Sequence, residues 1–499
     1  MTAQTAVLST DLSSELSRLA DPCLLRDQGY IDGQWTGSRK GESFEVRDPS
    51  TLKPFCRVAA LGAEETGRAI DAAARAFPKW RSLLPQERSA ILRAWHGLIL
   101  DGREDLALIM TLEQGKPLDE SRGEIDYAAS FIEWYAEEAK RANVENITSH
   151  LPNAEMSVER VPIGVAGVVT PWNFPSAMLT RKAAAALAAG CSIVAHPSSW
   201  TPLSALALAE LAERAGFPAG VFNVVPGDAE TIVGNLCDDT RVRALSFTGS
   251  TEIGRLIAAR CARTMKQLIM ELGGHAPLMI FDDADPEKAV EIAISAKFAT
   301  SGQDCLAANR IYVQRGLYSR FCEAFAEKAA ALTVGRGFLP GVEIGPLMHE
   351  RAIEKVEAQI TDALERGARC LTGGGRHQAG KLFLQPTVLA DVPESALVMR
   401  EETFGPLAAI TPFDDEADVT ARANDSEYGL AAYLVTQDQQ RIRRMSRNLE
   451  FGMLAVNRVK LTGAPVPFGG VKQSGLGREG SRHGMEAFTE LKYICVDAS

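Results

Sequence analysis

Three rhythms of apolar and polar positions divide this chain. From Tyr30 to Ala60, short alternating runs broken by glycine and proline predict antiparallel strands, among them Gln34 to Gly37 and Ser43 to Arg47. From Ala63 apolar residues recur every three to four positions. That spacing predicts helices over Ala63 to Ala76, Pro85 to Asp101 and Arg103 to Glu113, and a longer amphipathic one over Glu120 to Arg141. From Gly164 apolar strands alternate with helices. The strands are Val165 to Thr170, Ser192 to Ala195, Val221 to Val225, Ala244 to Phe247 and Gln267 to Met270, and the helices Ala177 to Ala189, Leu203 to Ala215 and Thr251 to Cys261. Such alternation predicts a parallel, doubly wound sheet, whose ligands sit at the carboxyl ends of the strands.

A second α/β region is expected from about Gly273 to Gly452, with helices Pro286 to Phe298 and Leu317 to Leu332 and a strand at Arg310 to Val313. The tail ends in an apolar strand, Leu491 to Val496, able to pair with another subunit. Residues 1 to about 28 are polar and predict a partly ordered arm with room for a short helix. No repeat of 20 to 50 residues and no low-complexity tract stands out.

Composition narrows the function classes. A chain of 499 residues with 46% hydrophobic and 23% charged residues is ordinary for a globular protein of two to three domains. The net charge of −11 argues against a nucleic-acid partner or an anionic membrane surface. Nine cysteines without a C-x-x-C pair predict neither a disulfide framework nor a zinc site, so no metal is expected. The start of the chain lacks the basic and apolar blocks of a signal peptide, and the longest apolar run, Ala183 to Ala195, is too short to span a bilayer. The expected location is the cytoplasm.

The candidate chemistry gathers around Cys305, at the end of Gly302 Gln303 Asp304 Cys305. Far away in sequence stand Asn173, within Pro171 to Pro175, and Glu271, opening Glu271 Leu272 Gly273 Gly274. Taken singly, each has an ordinary reading as a buried thiol, a turn amide or a salt-bridged carboxylate. Together they supply a nucleophile, an oxyanion donor and a base. The stretch from Phe247 to Gly254 follows a strand and opens a helix, with Gly249 and Gly254 spaced G-x-x-x-x-G. A helix start of that kind can take a pyrophosphate, and Ser250 or Thr251 can equally be a simple cap.

These motifs, with Glu401 to Pro406 and Pro467 to Glu479, resemble the aldehyde dehydrogenase superfamily over nearly the whole chain. Phe131 to Arg141, Leu179 to Lys182 and Ala308 to Val313 look most like its succinate-semialdehyde branch. The resemblance implies an α/β fold: a Rossmann-type parallel-sheet cofactor domain (1–141 and 161–270), an α/β catalytic domain (271–467) and a small oligomerisation element (142–160 and 485–499). It implies NAD or NADP as cofactor, a small-molecule aldehyde as substrate, and a homodimer or homotetramer.

By the same resemblance, Cys305 attacks the aldehyde, Asn173 and the Cys305 N–H hold the oxyanion, Glu271 activates water, and Lys182 assists in proton relay and positioning. Gly249, Ser250 and Gly254 face the pyrophosphate. Glu402 and Phe404 hold the nicotinamide ribose and ring, and Thr170, Pro171, Trp172 and Leu272 complete the cofactor contacts.

Two departures bear on specificity. At the adenosine ribose the family usually shows Lys-Pro-Ser-Glu, where this chain has His196 Pro197 Ser198 Ser199 Trp200. Ser199 removes a carboxylate that would repel a 2′-phosphate, and His196 is at best a partial cation. At the substrate end, Arg181 matches an arginine that binds a distal carboxylate in the succinate-semialdehyde branch. The second arginine of that branch is replaced by Ala299, and a second cysteine by Ala307. Thr462, Phe468 and the cations Arg458 and Lys460 fall near the same pocket. Asp304 pulls the other way, since a carboxylate there suits an ammonium group or pairs with Arg458. The leading expectation is a semialdehyde with a distal carboxylate. An aminoaldehyde, and a cofactor-poor relative acting as a thiol esterase or binding protein, are the alternatives.

Overall fold

The structure is a computed structural model that describes residues 13–141 and 144–498. The first twelve residues of the expected arm, Ala142 and Asn143 of the expected bridging element, and Ser499 lie outside the described residues.

The strand and helix alternation after Gly164 builds an eight-stranded sheet. Its five central strands, Gln267–Glu271, Val242–Thr248, Val165–Val169, Ser192–His196 and Phe222–Val224, run parallel in that spatial order. Antiparallel strands close both edges: Gly475–Leu476 on one side, Gly29–Ile31 and Gln34–Thr36 on the other. The register brings Thr248 beside Glu271, and Val169 beside both Phe247 and His196. The loops carrying Asn173, Ser199, Ser250 and Leu272 therefore leave the sheet along one edge.

A second, seven-stranded sheet runs in the order Arg369–Thr372, Thr387–Ala390, Leu407–Phe413, Ala308–Gln314, Ala276–Ile280, Ala431–Val435, Met453–Val456, parallel except for the first strand. Glu271 ends a strand of the first sheet, and five residues later Ala276 begins one of the second. Cys305 likewise precedes Ala308–Gln314, and Glu402 to Phe404 precede Leu407–Phe413. The cleft thus lies between the carboxyl ends of the first sheet and the amino ends of the second.

Helix Pro175–Ala189 carries both candidate cations of the site, Arg181 and Lys182. Proline at its first turn, a run of alanines and a left-handed Gly190 (φ 99°) at its end define it, and all fifteen residues are buried. Its small side chains pack against helix Leu118–Glu138. Glu124 of that second helix accepts hydrogen bonds from Ser176 and Ala177 N–H at 3.0 and 3.2 Å, capping the buried first turn.

A separate three-stranded sheet joins Thr489–Asp497, Ala154–Pro162 and Glu145–Ile147. The C-terminal strand, expected to be able to pair with another subunit, pairs along one edge over nine residues within its own chain, from Thr489 beside Pro162 to Asp497 beside Ala154, and is the outer strand of this sheet. Ala154–Pro162 escapes sequence reading because its burial alternates only weakly.

Candidate active site

A cavity of about 560 Å³ opens in the cleft, lined by Asn173, Arg181, Glu271, Asp304, Cys305, Glu402 and Phe404 among others. The three chemical roles read from the sequence converge here from three strand ends.

The cysteine loop is held by backbone constraint and by a clamp of hydrogen bonds. Thr300 and Ser301 take left-handed φ values of 51° and 57°, a conformation side chains seldom adopt without compensation. Compensation comes from Glu120 Oε1, which accepts Thr300 N–H at 3.0 Å, and from Ser301 Oγ, which accepts Gly345 N–H at 2.9 Å. The Gln303 amide donates to Pro346 O at 3.2 Å and accepts Met348 N–H at 3.0 Å. Gly274 approaches so closely that a Cβ there would sit 2.2 Å from Cys305 O, which only glycine permits.

Glu271 faces the Cys305 thiol, and its Oε1 is buried without a hydrogen-bond partner. Burial pushes its carboxyl up to about 7, with Glu479 adding to the rise and Arg181 and Lys182 opposing it. Burial, then Glu271 and Asp304, push the Cys305 thiol well above its ordinary range. The pair therefore starts as a neutral thiol beside a carboxyl poised near neutrality, the arrangement of a nucleophile with its own base. A rate limited by Glu271 as base rises with pH through about 7, because the unprotonated carboxylate is the working form. A pH profile of kcat/KM should show that acidic limb, and Glu271→Gln should abolish it.

Asn173 Nδ2 donates to Gln303 O at 3.0 Å, and its own carbonyl accepts from Lys116 Nζ at 2.7 Å. One amide hydrogen is thereby used to fix the side chain, leaving the other for an oxyanion. Lys116 is itself anchored by a buried ion pair to Glu124 at 2.6 Å. Asn173→Ala is expected to lower kcat by about a hundredfold or more, measured under saturating substrate and cofactor.

Arg181 and Lys182 share one buried carboxylate, Glu479. Arg181 Nε lies 2.5 Å from Glu479 Oε2, and Lys182 Nζ contacts Glu479 and also Ser246 Oγ at 3.1 Å. Burial works against the charge of Arg181, but Glu479, Tyr127, Glu271 and Cys305 together outweigh it and the guanidinium stays cationic. Arg181 lies 4.0 Å over the Phe468 ring and lines the cavity, its Nη1 buried without a hydrogen-bond partner. Lys182, by contrast, does not line the cavity. Glu479 and Ser246 hold the ammonium of this residue, expected to assist in proton relay and positioning, away from the cavity lining.

Two substrate calls separate in the same way. Thr462 and Phe468 line the cavity, whereas Arg458 is exposed and outside it. Asp304 lines the cavity and its Oδ1 accepts Leu306 N–H at 3.0 Å, so the expected pairing with Arg458 is not what holds it.

The cofactor calls fall into two groups. Pro171, Trp172, Gly249, Ser250 and Leu272 line the cavity beside Glu402 and Phe404, and Ser250 caps helix Thr251–Cys261 through Ile253 N–H at 3.4 Å. Glu402 accepts Gly274 N–H at 2.9 Å, and burial pushes its carboxyl up to about 7. A helix start flanked by glycines, with a carboxylate across the groove, fits a pyrophosphate and ribose.

Thr170, Gly254 and His196 lie behind this surface. Thr170 N–H donates to His196 O at 3.1 Å, and a Cβ on Gly254 would meet Leu272 Cδ2 at 2.4 Å. The His196 ring is buried, bonded at 2.9 Å to Val225 O, and burial lowers its pKa, so it supplies no cation to a phosphate. Ser199 is exposed beside Trp200. Trp200 meets His349 at 5.7 Å, His349 meets Trp172 at 6.4 Å, and Trp172 meets Phe404 at 5.5 Å, forming an aromatic row along the groove.

The aldehyde dehydrogenase family model matches residues 35–494. The chain belongs to the aldehyde dehydrogenase family. It is an oxidoreductase acting on aldehydes, with the α/β fold of that family. It is 52% identical over 479 residues to a succinate-semialdehyde dehydrogenase (NADP+) of Escherichia coli K12, covering 96% of this chain and 99% of the other. It is 52% identical over 482 residues to a non-phosphorylating aspartate-semialdehyde dehydrogenase of Halomonas elongata, covering 97% and 98%. The crystal structure of succinate-semialdehyde dehydrogenase from Burkholderia pseudomallei matches with a TM-score of 0.95 at 49% identity, covering 96% of this chain and all of that one.

Sequence reasoning gave no role to Glu120, Lys116, Glu124 or Glu479. Glu479 ends a motif that was noticed, and only its contact with Lys182, 297 residues away, reveals its task.

Proposed function

We propose that this enzyme oxidises a short semialdehyde with a distal carboxylate to the corresponding dicarboxylate, using NAD+ or NADP+. The observation that carries the substrate class is Arg181: a fully buried guanidinium on the cavity wall with Nη1 unpartnered. A carboxylate fits that fork and gives a charge-assisted bond in a dry site. Relatives named for succinate and aspartate semialdehydes share such a distal carboxylate.

The chain's own residues carry the reaction as follows. Glu271 takes the Cys305 proton, the thiolate adds to the carbonyl, and Asn173 Nδ2 with the Cys305 N–H stabilises the oxyanion of the thiohemiacetal. A dinucleotide held by Gly249, Ser250, Glu402 and Phe404 would supply the hydride acceptor, and Cys305 then carries a thioester. Glu271 then deprotonates the water that hydrolyses it. Side-by-side initial rates with succinic semialdehyde and butyraldehyde test this reading, and Arg181→Gln is expected to lower kcat/KM for the former far more than for the latter. Equal losses for both would contradict the anchor.

We further infer that NADP+ is accepted at least as well as NAD+, since Ser199 presents no charge to a 2′-phosphate. Ser199→Glu should shift the kcat/KM ratio toward NAD+ by about tenfold or more, through like-charge repulsion. The exposed Leu491, Tyr493 and Val496 on the three-stranded sheet support self-association through that element. All nine cysteines are unpaired, in keeping with a reducing compartment. No helix among the described residues is long and apolar enough to cross a membrane.

A further inference from the structure

The cavity lining carries groups of both signs. Arg181 Nη1 is buried without a hydrogen-bond partner, and Glu479 is shared between Arg181 and Lys182. Two carboxylates, Glu120 and Asp304, line the same cavity. Glu120 Oε2 is buried with no hydrogen-bond partner, while its Oε1 is used by Thr300 N–H. The two carboxylates are close enough to repel: after burial itself, Asp304 helps push the Glu120 carboxyl up. Lys116 is the cation that acts on both, but its ammonium is taken by Glu124 at 2.6 Å and Asn173 O at 2.7 Å.

A buried carboxylate oxygen without a donor, beside a second carboxylate, calls for a cation. An unpartnered buried guanidinium nitrogen calls for an anion. A substrate bearing only a carboxylate would satisfy Arg181 while leaving the free oxygen of Glu120 without a donor. One bearing only an ammonium group would leave Arg181 unpaired.

We propose that the substrate is a zwitterionic semialdehyde, with its carboxylate on Arg181 and an ammonium group, on the carbon chain between carboxylate and aldehyde, facing Glu120 and Asp304. This rests on the reading of the site as a semialdehyde dehydrogenase and narrows its substrate class. The reaction balances as before: the aldehyde carbon gives a hydride to the dinucleotide and gains the oxygen of water. The product is an amino dicarboxylate.

Four aldehydes complete the test by charge: butyraldehyde, succinic semialdehyde, 4-aminobutyraldehyde and aspartic semialdehyde, each assayed with the full-length enzyme and saturating dinucleotide. Aspartic semialdehyde is expected to have the highest kcat/KM, at least about tenfold above succinic semialdehyde. Asp304→Asn should reduce that ratio by about tenfold or more, mainly through KM. Glu120→Gln should reduce it in the same direction, and if that variant fails to fold, Asp304→Asn decides alone. Preference for succinic semialdehyde, or a ratio that Asp304→Asn does not move, overturns the zwitterion while leaving the carboxylate anchor standing. Preference for butyraldehyde or 4-aminobutyraldehyde overturns both.

Discussion

Exchanging Cys305 for alanine is expected to lower aldehyde-dependent cofactor reduction by at least about 10⁴-fold while leaving the fold in place. The loss is large because Glu271 and Asn173 act on the sulfur adduct and have no other nucleophile to serve. The fold survives because the loop is held by Glu120, Ser301 and Gln303 and not by the thiol. Removing a thiol whose ionisation burial already opposes strips no favourable charge from the site. Circular dichroism and thermal unfolding of the variant should match the parent, and dinucleotide binding, followed by the thermal shift it causes, should persist.

Glu479→Gln is expected to be the most damaging change away from the reacting atoms. It leaves Arg181 and Lys182, both 1% exposed, adjacent without the carboxylate that contacts both. Breaking a buried pair in this way costs about 3–5 kcal/mol. Urea unfolding should show the loss as a lower midpoint at neutral pH. The same network predicts an acid limit. Burial alone would raise the Glu479 carboxyl, but Arg181 and Lys182 win and hold it below its ordinary 4.5. A depressed carboxylate contributes its stability in full at neutral pH and loses it as pH falls through the folded value. The parent should therefore lose that increment only as pH falls below 4.5, and the variant should lack it throughout.

The two predictions mark what a sequence can and cannot disclose. Cys305, Glu271 and Asn173 were legible because each follows or precedes a recognisable strand within a dense motif, and strand alternation alone placed two of them on the ligand edge. Helices Pro85–Asp101, Thr251–Cys261 and Pro286–Phe298 were legible to the residue, since proline or a serine cap fixes each start. Glu479 was not legible as a counter-ion. Nothing local distinguishes a glutamate that will meet Lys182 across 297 residues from one that faces solvent.

Glu120, Lys116 and Glu124 were missed for the same reason. They belong to amphipathic or loop stretches, and their tasks arise only when Pro175–Ala189 packs against Leu118–Glu138. Arg458 shows the converse error, since nearness in sequence to Thr462 suggested a pocket cation and the chain turns it outward. His196 fails differently. It ends a strand at the adenosine position, but Val225 O draws the ring into the sheet.

The most direct test of the account uses Glu271→Gln with one semialdehyde and excess dinucleotide, following reduced cofactor and the intact mass of the protein together. The account predicts slowed formation of about one equivalent of reduced cofactor per site with no steady turnover after it, and an acyl group on the peptide containing Cys305, because the base that serves the thiol and then hydrolyses the thioester is gone. Sustained turnover without an adduct, or an adduct on any other residue, would contradict Cys305 as nucleophile and Glu271 as the water-activating base.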